Sequence, residues 1–194
     1  MRPEIKILLG ASVFYNFSVG LLGPLYAMFV KQIGGGILEA SGAWALYTIT
    51  MGIMILIMGR IEDKLEKKHM VVLGYGISAA AVIGYNFVAT PLDLYIVQAI
   101  LGAGSAICSP AWSAIYSVCL DRGKESSEWG YWEGLIAIMV GLAALTGGYI
   151  VSMYGFSTLF ILMSIASIIN TAVASMLILG GHKVTKIHGR LKIK

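Results

Sequence analysis

The chain predicts an all-α fold, a polytopic membrane protein of six transmembrane helices, and three observations predict it. Apolar residues make up 58% of the 194 residues, charged residues only 12%, and the mean hydropathy is +0.82. Roughly 25% charged residues is usual in a soluble domain, so this composition belongs in a bilayer. Turn and charge signals then divide the chain into six apolar stretches, each near the ~20 residues a spanning helix needs. The stretches are continuous rather than alternating, which excludes a transmembrane barrel and leaves helices to satisfy the backbone in lipid.

The expected spans are Ile7 to Val30, Gly42 to Met58, Met70 to Ala89, Leu92 to Leu120, Gly130 to Ser152 and Phe156 to Leu179. The first is longer than the apolar region of a signal peptide and no small-x-small cleavage site follows it, so it is expected to remain attached. Of the 14 Lys and Arg residues, only Lys31 falls on one side of this pattern. The others lie before span one (Arg2, Lys6), after span two (Arg60, Lys64, Lys67, Lys68), after span four (Arg122, Lys124) and in the tail from Lys183 to Lys194. The positive-inside rule therefore places both termini in the cytoplasm. The domain organisation follows as a six-helix membrane domain, residues 1–180, and a basic cytoplasmic tail, residues 181–194.

The net charge of +4 reflects this topology. An anionic inner leaflet attracts such a tail, and no nucleic-acid partner is expected. Cys108 and Cys119 are eleven residues apart on one helix, about 16 Å, too far for a disulfide within the chain. Thr90-Pro91 marks a short external turn that divides the spans into two groups of three. An odd number of spans per group makes the groups inverted in the membrane, as in the nested repeats of transporters.

Span four is the most polar. Gln98, Gly102, Ser105, Ser109, Trp112 and Tyr116 succeed one another at helical steps of three and four, so they share one face. Span one has a shorter stripe, Ser12, Asn16, Gly20 and Gly23, with Tyr15 beside it. Polar groups are costly against lipid, so both stripes are expected to face protein or a water-filled cavity. Small and hydroxyl residues also serve close helix packing, and that reading stays open for the serines and glycines. Large polar or amphipathic side chains do not promote close approach, so Tyr15, Asn16, Gln98, Trp112 and Tyr116, with Ser105 and Ser109, are the candidate substrate-cavity residues. Amides, hydroxyls and aromatics suit a neutral polar or aromatic solute. Glu133 is the one acid expected inside a span, roughly one turn into span five, which makes it the candidate for proton coupling. The neighbouring Trp129, Tyr131 and Trp132 read as an interfacial belt, which equally lets Glu133 reach water.

The densest charge cluster, Gly59-Arg60-Ile61-Glu62-Asp63-Lys64-Leu65-Glu66-Lys67-Lys68, resembles the signature of the major facilitator superfamily. That signature lies in the cytoplasmic loop between spans two and three. It runs Gly, three residues, Asp, Arg or Lys, one residue, Gly, then two basic residues. Gly59, Asp63, Lys64, Lys67 and Lys68 match, and Glu66 stands where the second glycine belongs. Thr146-Gly147-Gly148-Tyr149 and Tyr154-Gly155-Phe156 are similar to the Gly-Gly and Gly-aromatic patterns of the same family, although Ala143-Ala144 replaces the Gly-Pro that antiporter members tend to carry. The resemblance covers all six spans and implies half of a major-facilitator-type fold, the N-terminal half of a carrier that normally has twelve. It further implies a cytoplasmic latch in which Gly59, Asp63, Lys64 and Lys67 act with Asp121 at the end of span four.

The implied function is transport of a small solute by alternating access. Six helices form one wall of such a path, so the expected partner is a second six-helix half, either another copy in a parallel homodimer or a missing C-terminal half. A non-transporting membrane scaffold is the alternative of a different class. Gly102-Ala103-Gly104-Ser105-Ala106 resembles a glycine-flanked serine nucleophile, but His69, His182 and His188 lie at cytoplasmic ends or in the tail, where none can activate Ser105. No cluster has metal-ligand spacing within a span, so neither enzyme activity nor a cofactor is expected.

Overall fold

A computed structural model describes residues 3–179 of the chain. Arg2 and the basic tail, residues 181–194, lie outside the described residues. The described chain is helical throughout: α1 (Pro3–Leu22), α2 (Tyr26–Gln32), α3 (Ile37–Ile61), α4 (Lys67–Gly84), α5 (Pro91–Cys119) and α6 (Glu125–Leu179). Short 3₁₀ turns at Gly23–Leu25, Glu62–Lys64 and Tyr85–Phe87 join or extend them. Among the described residues five helical stretches are long and apolar enough to cross a membrane, the first being α1 continued through α2. The chain is an integral, multi-pass membrane protein.

The expected spans one to four each overlap one of these stretches, with ends displaced by a few residues. The first is continuous through Pro24, because a proline opening a 3₁₀ turn needs no amide hydrogen there. Spans five and six are both contained in α6, whose 55 residues have one non-helical position, Gly155 at φ 78°, ψ 177°. That backbone is open only to glycine, and it divides α6 into segments 125–154 and 156–179 without an intervening loop. An unbroken helix of that length would reach about 80 Å, far beyond a hydrocarbon core of about 30 Å.

Caps explain where the helices begin. Asp93 accepts from the Thr90 amide at 2.9 Å, the Thr90 hydroxyl at 2.8 Å and the Ala89 amide at 3.1 Å, while Pro91 opens α5. This reciprocal box satisfies donors that a helix start leaves orphaned. Glu39 does the same for α3 by accepting from the Gly36 amide at 2.7 Å.

α5 lies between α3 and α4, α1 runs against both segments of α6, and α4 also meets α6. The α4–α5 contact is made by backbones. A Cβ on Gly74 would sit 2.7 Å from the Gly104 carbonyl oxygen, and one on Gly104 would sit 2.7 Å from the Ser78 nitrogen. Two apolar clusters fill the bundle, one around Leu21, Phe29, Tyr85 and Phe160, the other around Leu8, Tyr75, Trp112 and Tyr116. The outer surface is apolar too. Leu56, Leu92 and Leu145 are each more than two-thirds exposed, the state expected of side chains that meet lipid rather than water.

Candidate functional site

The polar stripes of α1 and α5 meet at Ser105. The Tyr15 hydroxyl from α1 lies 2.9 Å from the Ser105 Oγ, and the Tyr47 hydroxyl from α3 donates to the same oxygen at 3.5 Å. Gly102, one turn earlier on α5, permits this: a Cβ there would lie 2.6 Å from the Tyr47 carbonyl oxygen. Three helices are thereby joined through one serine.

Two cavities open on either side of this junction and share Tyr15, Asn16 and Tyr47 as a common wall. The smaller, about 280 Å³, is completed by Ser105, Ser109 and Trp112 of α5 together with residues of α4 and α6. The larger, about 400 Å³, includes Gln98, Tyr26 and Trp44. These volumes suit a small molecule. Among the described residues no Asp, Glu, Lys, Arg or His lines either cavity.

The sequence-predicted cavity residues are mostly brought together. Tyr15, Asn16, Ser105, Ser109 and Trp112 line the smaller cavity; Gln98 lines the larger, where its Nε2 donates to the Tyr26 hydroxyl at 2.8 Å. Asn16 donates to the Ser12 carbonyl one turn back at 2.8 Å. Tyr116 lines neither cavity. Its ring stacks on Trp112 with centroids 4.8 Å apart, and its hydroxyl donates to the Glu128 carbonyl at 2.6 Å, fastening α5 to the start of α6.

Sequence reasoning missed several wall residues. Trp129 and Trp132, expected as interfacial residues, line the smaller cavity and pack against Trp112 with centroids 6.4 and 5.0 Å away. Their spacing of three residues on one helix face was the available signal. Tyr47 and Tyr75 were missed as well, although Trp44 and Thr50 three residues either side of Tyr47, and Ser78 three after Tyr75, offered short stripes of the same kind. The indole N–H groups of Trp112 and Trp132 and the Ser78 hydroxyl are buried without a hydrogen-bond partner among the described residues. Each such group costs about 1–3 kcal/mol while unpaired.

At the α3–α4 turn, Gly59, Asp63 and Lys64 are exposed, and Lys67 is half-buried with its Nζ donating to the Glu62 carbonyl at 3.4 Å. Asp121 is half-buried, and its backbone N–H donates to the Glu128 carboxylate at 3.0 Å. Glu133 is exposed. Two acids are buried among the described residues: Glu128, 8% exposed, which accepts from the Asp121 amide, and Glu62, 2% exposed, both of whose carboxyl oxygens lack a hydrogen-bond partner among the described residues. In the sequence it stands inside a dense charge run and reads as solvated. In the fold its 3₁₀ turn carries it inward while Asp63 faces out.

Comparison with known proteins agrees with this architecture. The family model described as Major Facilitator Superfamily matches residues 8–190. An uncharacterized MFS-type transporter, MJ1560, of Methanocaldococcus jannaschii is 24% identical over 71% of this chain, which spans 36% of that relative. The uncharacterized MFS-type transporter YitZ of Bacillus subtilis is 21% identical over 77% of the chain and 91% of its own length. The multidrug resistance protein MdtG of Klebsiella pneumoniae is 22% identical over 82% of the chain and 40% of its own length. The chain thus spans about two-fifths of two of these relatives and nearly all of the third. With a family match along almost its entire length and a helical bundle to carry it, the chain belongs to the Major Facilitator Superfamily.

Proposed function

We propose that this chain forms one six-span half of a carrier that moves a small polar or amphipathic solute by alternating access, working as a parallel homodimer. The observation that carries the reading is the junction at Ser105, where phenols from α1 and α3 converge between two uncharged cavities. On this reading segments 125–154 and 156–179 are spans five and six, the six spans form two inverted groups of three, and both termini are cytoplasmic.

The need for a second half is supported by an unfilled face. Gly130, Gly134, Ala137, Gly141 and Gly148 follow one another at steps of four, three, four and seven on segment 125–154. A Cβ on any of the four glycines would meet open space, and the same holds for Gly52 and Gly59 of α3. Small residues let membrane helices approach closely, so these faces suit other helices better than lipid. The coverage of YitZ over 91% of its length supports a carrier half of this size in a relative. In two such halves, Asp63 and Lys67 with Asp121 would latch one access state through contacts that differ between states.

The competing reading, an N-terminal half that requires a different C-terminal half, is favoured by the relatives of which the chain spans 36% and 40%. A single cysteine at position 141, in a chain with Cys108 and Cys119 replaced by alanine, separates the two. Oxidation in native-like membranes gives a covalent dimer if two copies pack through this face; a chain that stays monomeric while its transport persists refutes the homodimer.

A further inference from the structure

The smaller cavity contains donors with nothing to receive them. Trp112 is 6% exposed and Ser78 1%, both line this cavity, and neither the Trp112 indole N–H nor the Ser78 hydroxyl has a partner among the described residues. The Trp132 N–H, on the same wall, is also buried and unpartnered. An indole N–H can only donate, so what completes this wall is an acceptor. A cationic centre brings none of its own, and among the described residues no carboxylate lines the cavity to meet its charge. Attraction of a cation to the ring faces is also restricted, because Tyr116 already covers one face of Trp112. An anion would accept, but among the described residues no Lys, Arg or His lines the cavity to balance it.

We infer that this cavity takes an uncharged, planar solute bearing a carbonyl oxygen or a ring nitrogen. Its flat body lies against Tyr15, Trp112 and Trp132, and its acceptor receives an indole N–H. The inference rests on the carrier reading above and narrows it. Two copies of this chain would line the shared path with the same uncharged residues, whereas a different second half could introduce a charge.

Three bicyclic probes of near-equal size test the assignment by calorimetry on the full 194-residue chain in nanodiscs, with empty nanodiscs as reference. They are 1-methyl-2-quinolinone (neutral, with a carbonyl), 1-methylquinolinium (a cation without an acceptor) and 1-methylnaphthalene (neither). The quinolinone is expected to bind at least tenfold more tightly than the other two. Trp112→Phe should weaken it about tenfold, as loss of one well-placed donor does, and weaken 1-methylnaphthalene, which loses ring contact but no hydrogen bond, by a clearly smaller factor. Trp132→Phe supplies a second variant should the first fail to fold. Equal or tighter binding of the cation, equal binding of the hydrocarbon, indifference of the quinolinone to both substitutions, or no binding by any probe would overturn the assignment. None of these results touches the carrier reading, which is judged by solute transport in reconstituted vesicles.

Discussion

The Tyr15 hydroxyl sits 2.9 Å from the Ser105 hydroxyl, joining residues ninety positions apart and fixing α1 to α5 beside two cavities. Removing the Ser105 hydroxyl also leaves Tyr47, its other neighbour at 3.5 Å, without that partner. Ser105→Ala should therefore cost about 1–2 kcal/mol of stability. A double-mutant cycle with Tyr15→Phe should give a coupling of about 0.5–1.5 kcal/mol in thermal unfolding. Strict additivity would show that the bond contributes nothing.

Glu62 and Asp63 are adjacent in sequence and opposite in environment. Glu62 is buried with neither carboxyl oxygen hydrogen-bonded among the described residues, and the Lys67 charge nearby only partly offsets that burial, so Glu62→Gln, which keeps the shape and removes the ionisable group, should raise stability by up to about 1 kcal/mol. Asp63 is exposed, so Asp63→Asn should alter stability by less than about 0.5 kcal/mol while slowing transport if the latch operates. A destabilised Glu62→Gln chain would mean that the carboxylate has a role this geometry does not provide.

Glycines on the two sides of the bundle should respond differently. Gly104→Val drives a side chain into the Ser78 and Gly74 backbones, and overpacking of this kind costs about 1–3 kcal/mol. Gly141→Val adds its methyl groups to open space, so the single chain should keep its unfolding temperature while the dimer weakens. Size-exclusion and thermal-unfolding measurements on the same samples distinguish the effects.

Tyr116 provides a control for the site. Its hydroxyl donates to the Glu128 carbonyl and it lines neither cavity. Tyr116→Phe should cost about 1 kcal/mol of stability and leave solute affinity unchanged. An affinity change of tenfold or more would return Tyr116 to the binding wall.

Most of the helical framework was legible because lipid imposes long apolar runs and charge marks their ends. The shared face of Gln98, Ser105, Ser109 and Trp112 was legible for a related reason, since polar groups at helical spacing have few places to go in a bilayer. Tyr116 satisfied the same periodicity but was claimed by a backbone carbonyl, a partner that side-chain spacing cannot reveal. Trp129 and Trp132 were not recognised as cavity-wall residues because aromatic residues near a span end look alike whether they face headgroups or a neighbouring helix. Glu62 was missed because a single 3₁₀ turn decides which of two adjacent acids is buried. The expected break between spans five and six is not a polar loop: it falls inside α6, where Gly155 is the one non-helical position.

The central claim is that two copies of this chain enclose one uncharged path. Native mass spectrometry of the chain released from nanodiscs tests it most directly. The account predicts a species of twice the 20.8 kDa chain mass that Gly141→Val reduces to a single chain. A chain that flies only at its own mass and still transports solute in reconstituted vesicles would contradict it.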